Sequence, residues 1–150
     1  MLRYEEGDDQ VIKAFFDVIE TEFPEYQSLT IKVLYDNKKR VKAGALILAG
    51  IEVPGEKLKF FTKDGIVTEG YDYILIMDKK SFELGTEQEI KNLICHELQH
   101  IDIDDEGKCK LRGHEVEDFH AEIERNVDNP RWKDNLGDKV ATAYEDEKGK

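Results

Sequence analysis

The chain is poor in residues that staple, anchor or break a fold. Of its 150 residues only two are cysteine, three proline and one tryptophan. Two cysteines, Cys95 and Cys109, cannot build the disulfide framework of a small secreted domain. No apolar run approaches the ~20 residues that a membrane-crossing helix needs. The first residues, Met1-Leu2-Arg3-Tyr4-Glu5-Glu6, lack the apolar stretch of a signal peptide. These absences predict a reducing, cytoplasmic setting and no membrane partner. Positive charge is short as well: 22 Lys and Arg against 34 Asp and Glu leave a formal net charge of −12. A surface that holds nucleic acid neutralises phosphates and needs the opposite sign. The one basic cluster, Lys38-Lys39-Arg40 with Lys42, reads as a solvated turn between strands, so nucleic acid is not an expected partner.

What is present suits a soluble globular chain: 39% hydrophobic and 37% charged residues, enough length for one domain with a real core. Asp8 and Asp9 can cap a helix whose apolar positions Val11, Phe15, Ile19 and Phe23 recur at helical spacing, widened by Ile12, Phe16 and Val18. Pro24 ends it. From Leu29 the period changes to two, and Ile31, Val33 and Tyr35 predict a strand running into a turn at Asp36-Asn37. The run Ala43 to Ile51 reads as a buried strand, Lys57 to Phe61 with Lys63-Asp64-Gly65 as loop or short strand, and Tyr71 to Met77 as the clearest strand.

The chemistry concentrates further on. Thr86 with Glu89 forms a capping box, and Glu87 adds negative charge to the first turn. The predicted helix carries Ile90, Ile94 and Ile101 along one stripe, with Leu93 and Leu98 at its edges. Within it stands His96-Glu97-Leu98-Gln99-His100, a His-Glu-x-x-His motif. Residues four apart share a helical face, so His96 and His100 can send two imidazole nitrogens to one zinc ion. Glu97, about 100° further round the helix, can reach a water held at that ion without ligating it. A surface helix with two solvated histidines is the plainer alternative. The capping box and the core stripe favour the metal site, because they seat the histidines on the flank of a packed helix.

A catalytic zinc takes three protein ligands and keeps a position for water. The remaining histidines are His114 and His120. Val116, Phe119, Ile123 and Val127 form an apolar stripe that predicts a second helix over about 115–126. His114 would point away from that stripe in mid-helix, but after Gly113 the backbone need not be helical. His120 lies closer to the packed face, and Glu117 or Asp118 could ligate or orient a ligand. Spacing alone leaves the third ligand open. Asp102 to Gly107 has the acidic spacing of an EF-hand loop, but position 12 is Gly113 rather than a bidentate glutamate. The stretch reads as a hairpin or turn.

The two histidine segments, His96 to His100 and Leu111-Arg112-Gly113-His114-Glu115-Val116-Glu117-Asp118-Phe119, resemble the phage metallopeptidase family, which is similar in layout to small SprT-type zincins. The match falls on Arg112, His114, Glu115, Glu117, Asp118 and Phe119, and the wider likeness covers roughly residues 29–132. Gly113 stands where a proline is common, and His120 where the pattern is open. The resemblance implies that His114 completes the ligand set. It also implies an α+β, zincin-like single domain: an N-terminal helix, a small mainly antiparallel sheet, the metal helix, then a second C-terminal helix. The domain is expected over 1–132, with Trp132 packing back on the core and 133–150 as a helical or frayed tail.

The expected function is a zinc-dependent metallopeptidase, with His96, His100 and His114 holding Zn2+ and Glu97 as general base, acting on a peptide or protein substrate. Tyr71, Tyr73, Arg112 and His120 are candidate donors to the oxyanion. Two other functions fit the same residues: a metal-stabilised binding or structural protein without turnover, and a zinc hydrolase of a non-peptide amide. A fourth protein ligand, from His120, Cys109 or Asp118, would favour the first of these. Substrate sequence and oligomeric state have no signature in the chain.

Overall fold

The computed structural model of the chain describes residues 2–63, 69–113 and 132–148. It is an α+β fold. A four-stranded sheet has the order β1 (Tyr4–Glu6), β2 (Ile31–Asp36), β6 (Tyr73–Asp78), β5 (Ala49–Glu52). β2 and β6 run parallel, while β1 on β2 and β5 on β6 are antiparallel. β6 is buried at all six positions, which is why its sequence is continuously apolar rather than alternating.

The N-terminal helix α1 (Asp9–Glu22) starts where predicted, with the Asp8 carboxylate accepting the Val11 N–H at 3.1 Å. Val11, Phe15, Val18 and Ile19 are buried, each contributing about 1.5–3 kcal/mol of apolar transfer. Phe16, expected on the same face, is instead 60% exposed because it sits one residue round from Phe15, beyond the edge of the buried stripe. Asp8 also accepts the Tyr35 hydroxyl at 2.9 Å, tying the helix start to β2.

The run Ala43 to Ile51 is not one buried strand. β3 (Val41–Lys42) and β4 (Ala45–Leu46) form a small antiparallel hairpin, and β5 begins only at Ala49. Ala43 and Gly44 both adopt positive φ, 52° and 79°, the backbone of a tight hairpin turn. A short apolar run does not distinguish a strand from two strands folded on a glycine. Lys57 to Phe61 belongs to a helix, α2 (Glu56–Phe61), rather than a loop or strand; Gly55 precedes it as N-cap and Glu56 favours its first turn. Gly70 (φ 81°) brings α2 against the start of β6, where a Cβ would lie 2.1 Å from the Lys59 carbonyl oxygen. Lys63 is described, while Asp64 and Gly65 lie outside the described residues.

Between β6 and the helix of the His-Glu-x-x-His motif is a short helix not anticipated from the sequence, α3 (Lys79–Leu84), capped by Asp78. α4 (Glu87–Leu98) packs against α1 and β5. A second hairpin follows, β7 (Ile101–Ile103) with β8 (Cys109–Leu111). The final helix, α5 (Trp132–Lys148), places Trp132, Leu136, Val140 and Tyr144 at four-residue spacing in the same core as the sheet and α4. The residues expected as a tail are therefore helical as far as Lys148 and contribute to that core. The predicted helix at 115–126 lies outside the described residues.

Candidate metal centre

The site is built at the C-terminal end of α4. That helix begins with the predicted capping box: Thr86 Oγ1 accepts the Glu89 N–H at 3.2 Å, and Glu89 Oε1 accepts the Thr86 N–H at 2.9 Å. Ile90, Leu93, Ile94 and Leu98 anchor it in the core, none more than 4% exposed. The same burial encloses His96 and Glu97, at 7% and 9% exposure. Polar groups held this far from bulk water interact through a low dielectric, which strengthens every charge contact they make.

His100 does not continue the helix. α4 ends at Leu98 with Gln99 as C-cap, and the His100 N–H bonds back three residues to the Glu97 carbonyl at 3.1 Å, tightening the last turn. The two rings still meet. The His96 and His100 ring centres are 5.4 Å apart, with their planes at 79°. Zinc–nitrogen bonds of about 2.0–2.1 Å at a tetrahedral centre put two ligating ring centres about 5 Å apart, so this pair fits one ion. The negative end of the α4 dipole also falls here and favours a cation.

The ring of His100 is oriented by the β7–β8 hairpin. Its Nδ1 lies 2.6 Å from the Arg112 carbonyl oxygen, and the Arg112 N–H donates to the His100 carbonyl at 2.8 Å. A carbonyl only accepts, so Nδ1 carries the proton and Nε2 is the nitrogen that can ligate. Arg112 Nε donates to the Gln99 carbonyl at 2.9 Å, closing one of the bare carbonyls at the helix end. Sequence reasoning missed this arrangement, since a backbone acceptor has no side-chain signature. The signal was the hairpin register: Ile101 pairs with Leu111, which sets His100 opposite Arg112.

Of the other candidates, His114, His120, Glu117 and Asp118 lie outside the described residues. Among the described residues no group of three or more His, Cys, Asp or Glu converges on one point. Cys95 is fully buried, as expected of a core thiol. Cys109 is half-buried on β8, and burial pushes its thiol pKa up, with Asp72 adding to the effect. Tyr73 is no oxyanion donor: it is fully buried and its hydroxyl donates to the Lys110 carbonyl at 2.9 Å. The Tyr71 ring lies under Lys32 Nζ at 5.7 Å, beside β2. The EF-hand-like acids form a turn instead. Asp104 Oδ1 accepts the N–H groups of Glu106 and Lys108 at 3.0 and 2.8 Å, and Oδ2 pairs with Lys110 at 3.3 Å. Those contacts, the Lys108 N–H above all, hold the Asp104 carboxyl below its ordinary pKa.

Among the described residues no helix is long and apolar enough to cross a membrane. In comparisons with known proteins, the family model described as Putative phage metallopeptidase matches residues 4–145, nearly the whole chain. No curated protein and no solved structure matches.

Proposed function

The chain belongs to the Putative phage metallopeptidase family, and on that premise we propose that it is a zinc-dependent peptidase of the cytoplasm, which for a phage-encoded chain is that of the bacterial host. His96, His100 and His114 hold the ion, and Glu97 is the general base. One observation carries the reading: two imidazoles at a spacing suited to a shared ion, 5.4 Å between centres, flanking a buried glutamate in a His-Glu-x-x-His segment. His114 follows Arg112 by two residues, a span of at most about 7 Å. Arg112, two places before His114 in the family pattern, is hydrogen-bonded to His100, and this supports His114 as the third ligand.

When bound, zinc supplies a Lewis acid for the scissile carbonyl and acidifies the attacking water. The Glu97 carboxylate receives the proton that water gives up and returns it to the departing amine. His100 presents Nε2 because Nδ1 is committed to Arg112. Beside α4, β5 pairs only with β6 among the described residues, so its outer edge offers main-chain groups to an extended peptide.

Glu97→Gln tests the assignment. The variant should bind zinc with the parent stoichiometry and lose peptide hydrolysis by about 10²–10⁴-fold, the usual weight of a general base. Cleavage of a quenched-fluorescent peptide library at the parent rate would sink the role given to Glu97. A metal-bound structure showing a fourth protein ligand would instead support a closed structural site.

A further inference from the structure

The contact between His100 and Arg112 extends beyond two residues. β7 and β8 meet in the register Ile101↔Leu111, Asp102↔Lys110, Ile103↔Cys109, and the exchange between His100 and Arg112 adds one more rung beyond the hairpin. The far end of the hairpin is closed by Asp104 on the N–H groups of Glu106 and Lys108. A side-chain hydrogen bond ties its middle to the sheet. Tyr73, the first residue of the fully buried strand β6, sends its hydroxyl to the Lys110 carbonyl at 2.9 Å, with the Asp102 carbonyl at 3.5 Å. Lys110 and Asp102 are partners across the ladder, so this bond to Lys110 holds the hairpin two residues from the His100 rung. Tyr73 is fully buried, and its aromatic body is locked in the core. At the open end the Arg112 side chain returns to α4, its Nε on the Gln99 carbonyl.

We propose that the hairpin is a tautomer lock for a metal histidine, with Tyr73 and Arg112 as its positioning residues. The proposal rests on the zinc-site reading given above and assigns these two residues a task within it. Neutral imidazole can carry its proton on either nitrogen. The Arg112 carbonyl selects the Nδ1–H form, so His100 is poised to ligate through Nε2 before any ion arrives. Tyr73 ties that carbonyl, through Lys110, to the fully buried interior strand β6. The Arg112 side chain ties it to the end of the metal helix. In this role both residues act through the Arg112 carbonyl on His100.

The test has a metal-free arm and a metal arm, both on the full chain. In the zinc-free parent, two-bond ¹H–¹⁵N correlation of the imidazoles should show His100 protonated at Nδ1. His100 in the Nε2–H form would overturn the lock, whatever the protein does with zinc. Tyr73→Phe keeps the buried ring and removes only the hydroxyl. It should mix the two tautomers and weaken Zn2+ binding about 10–100-fold, the range seen when a ligand's supporting partner is removed. The affinity is read by competition with a chromophoric chelator. Arg112→Lys should weaken it similarly. The double variant should fall short of the product of the two effects, since both residues support one carbonyl. Parent affinity and an unchanged His100 tautomer in both single variants would refute the positioning role. If the parent itself failed to bind zinc, the peptidase reading would fall, and the imidazole spectrum would still decide the lock.

Discussion

Removing one hydroxyl, Tyr144→Phe, probes how the last helix is held to the sheet. Tyr144 is 7% exposed, and its hydroxyl donates at 2.5 Å to Oδ1 of Asp78, itself 4% exposed. Oδ2 of the same carboxylate takes the Ser81 N–H and Oγ–H, both at 2.9 Å. The substitution leaves the ring in the core and strands one carboxylate oxygen. A hydrogen bond to a charged group is worth about 1.5–3 kcal/mol, and here no water can replace the donor without opening the helix. A loss of about 2 kcal/mol corresponds to a fall in Tm of about 4–8 °C for a chain of this size. The pH dependence has a definite sign. Burial raises the Asp78 pKa above its ordinary value, opposed by Tyr144 and Ser81, so the fold prefers the neutral acid. Asp78 therefore costs stability as pH rises through its unfolded and folded values. Deleting the Tyr144 donor raises the folded value further. The cost of Tyr144→Phe should be greatest near neutrality and shrink below about pH 4, where the acid is neutral in both states. Urea denaturation at pH 7 and at acid pH reads it, with Trp132, the single tryptophan and the first residue of α5, as fluorescence probe. A cost under about 0.5 kcal/mol at pH 7, or one that grows towards acid, would refute the reasoning.

Other outcomes follow from the same contacts. Thr86→Ala removes the capping box of α4 and should cost about 1 kcal/mol in urea denaturation, whereas Thr86→Ser should restore most of it. Lys139 Nζ lies 2.8 Å from Glu89 Oε1, whose side chain is 8% exposed. Burial pushes the Glu89 carboxyl up, but Lys139 and the Thr86 N–H outweigh it and hold the pKa below its ordinary value. This contribution to stability is present above the unfolded pKa of about 4.3 and is lost as pH falls through the folded one. Lys139→Met should accordingly cost about 1 kcal/mol at pH 7 and progressively less as pH falls below the unfolded value and through the folded one, read by paired denaturation curves.

Local signals were legible without coordinates wherever they arise from contacts within a few residues. The Asp8 cap, the helix it opens, the Thr86–Glu89 box and the buried strand at β6 all appear where their patterns predict. The acidic loop at Asp102 to Gly107 was recognisable as a turn because its spacing fails as an EF-hand, and it closes a hairpin. Reading failed where neighbours, not propensity, decide. An apolar stretch from Ala43 to Ile51 looks the same whether extended or folded on Ala43-Gly44, and Phe16 looks as apolar as the buried Phe15.

For the site, the sequence by itself determined the residues of the proposed chemistry: two histidines and a glutamate at a spacing that a helix can bring together, with His114 proposed from the resemblance. That follows from covalent spacing and the helical period, which need no tertiary partner. Only the tertiary structure decided how the pair is presented. The helix stops at Leu98, His100 turns on a shortened bond, and a carbonyl twelve residues on selects its ring nitrogen. A backbone carbonyl is the same group in every residue. Its place opposite His100 is fixed by strand register and by the grip of a buried tyrosine, and both are set by the packed fold.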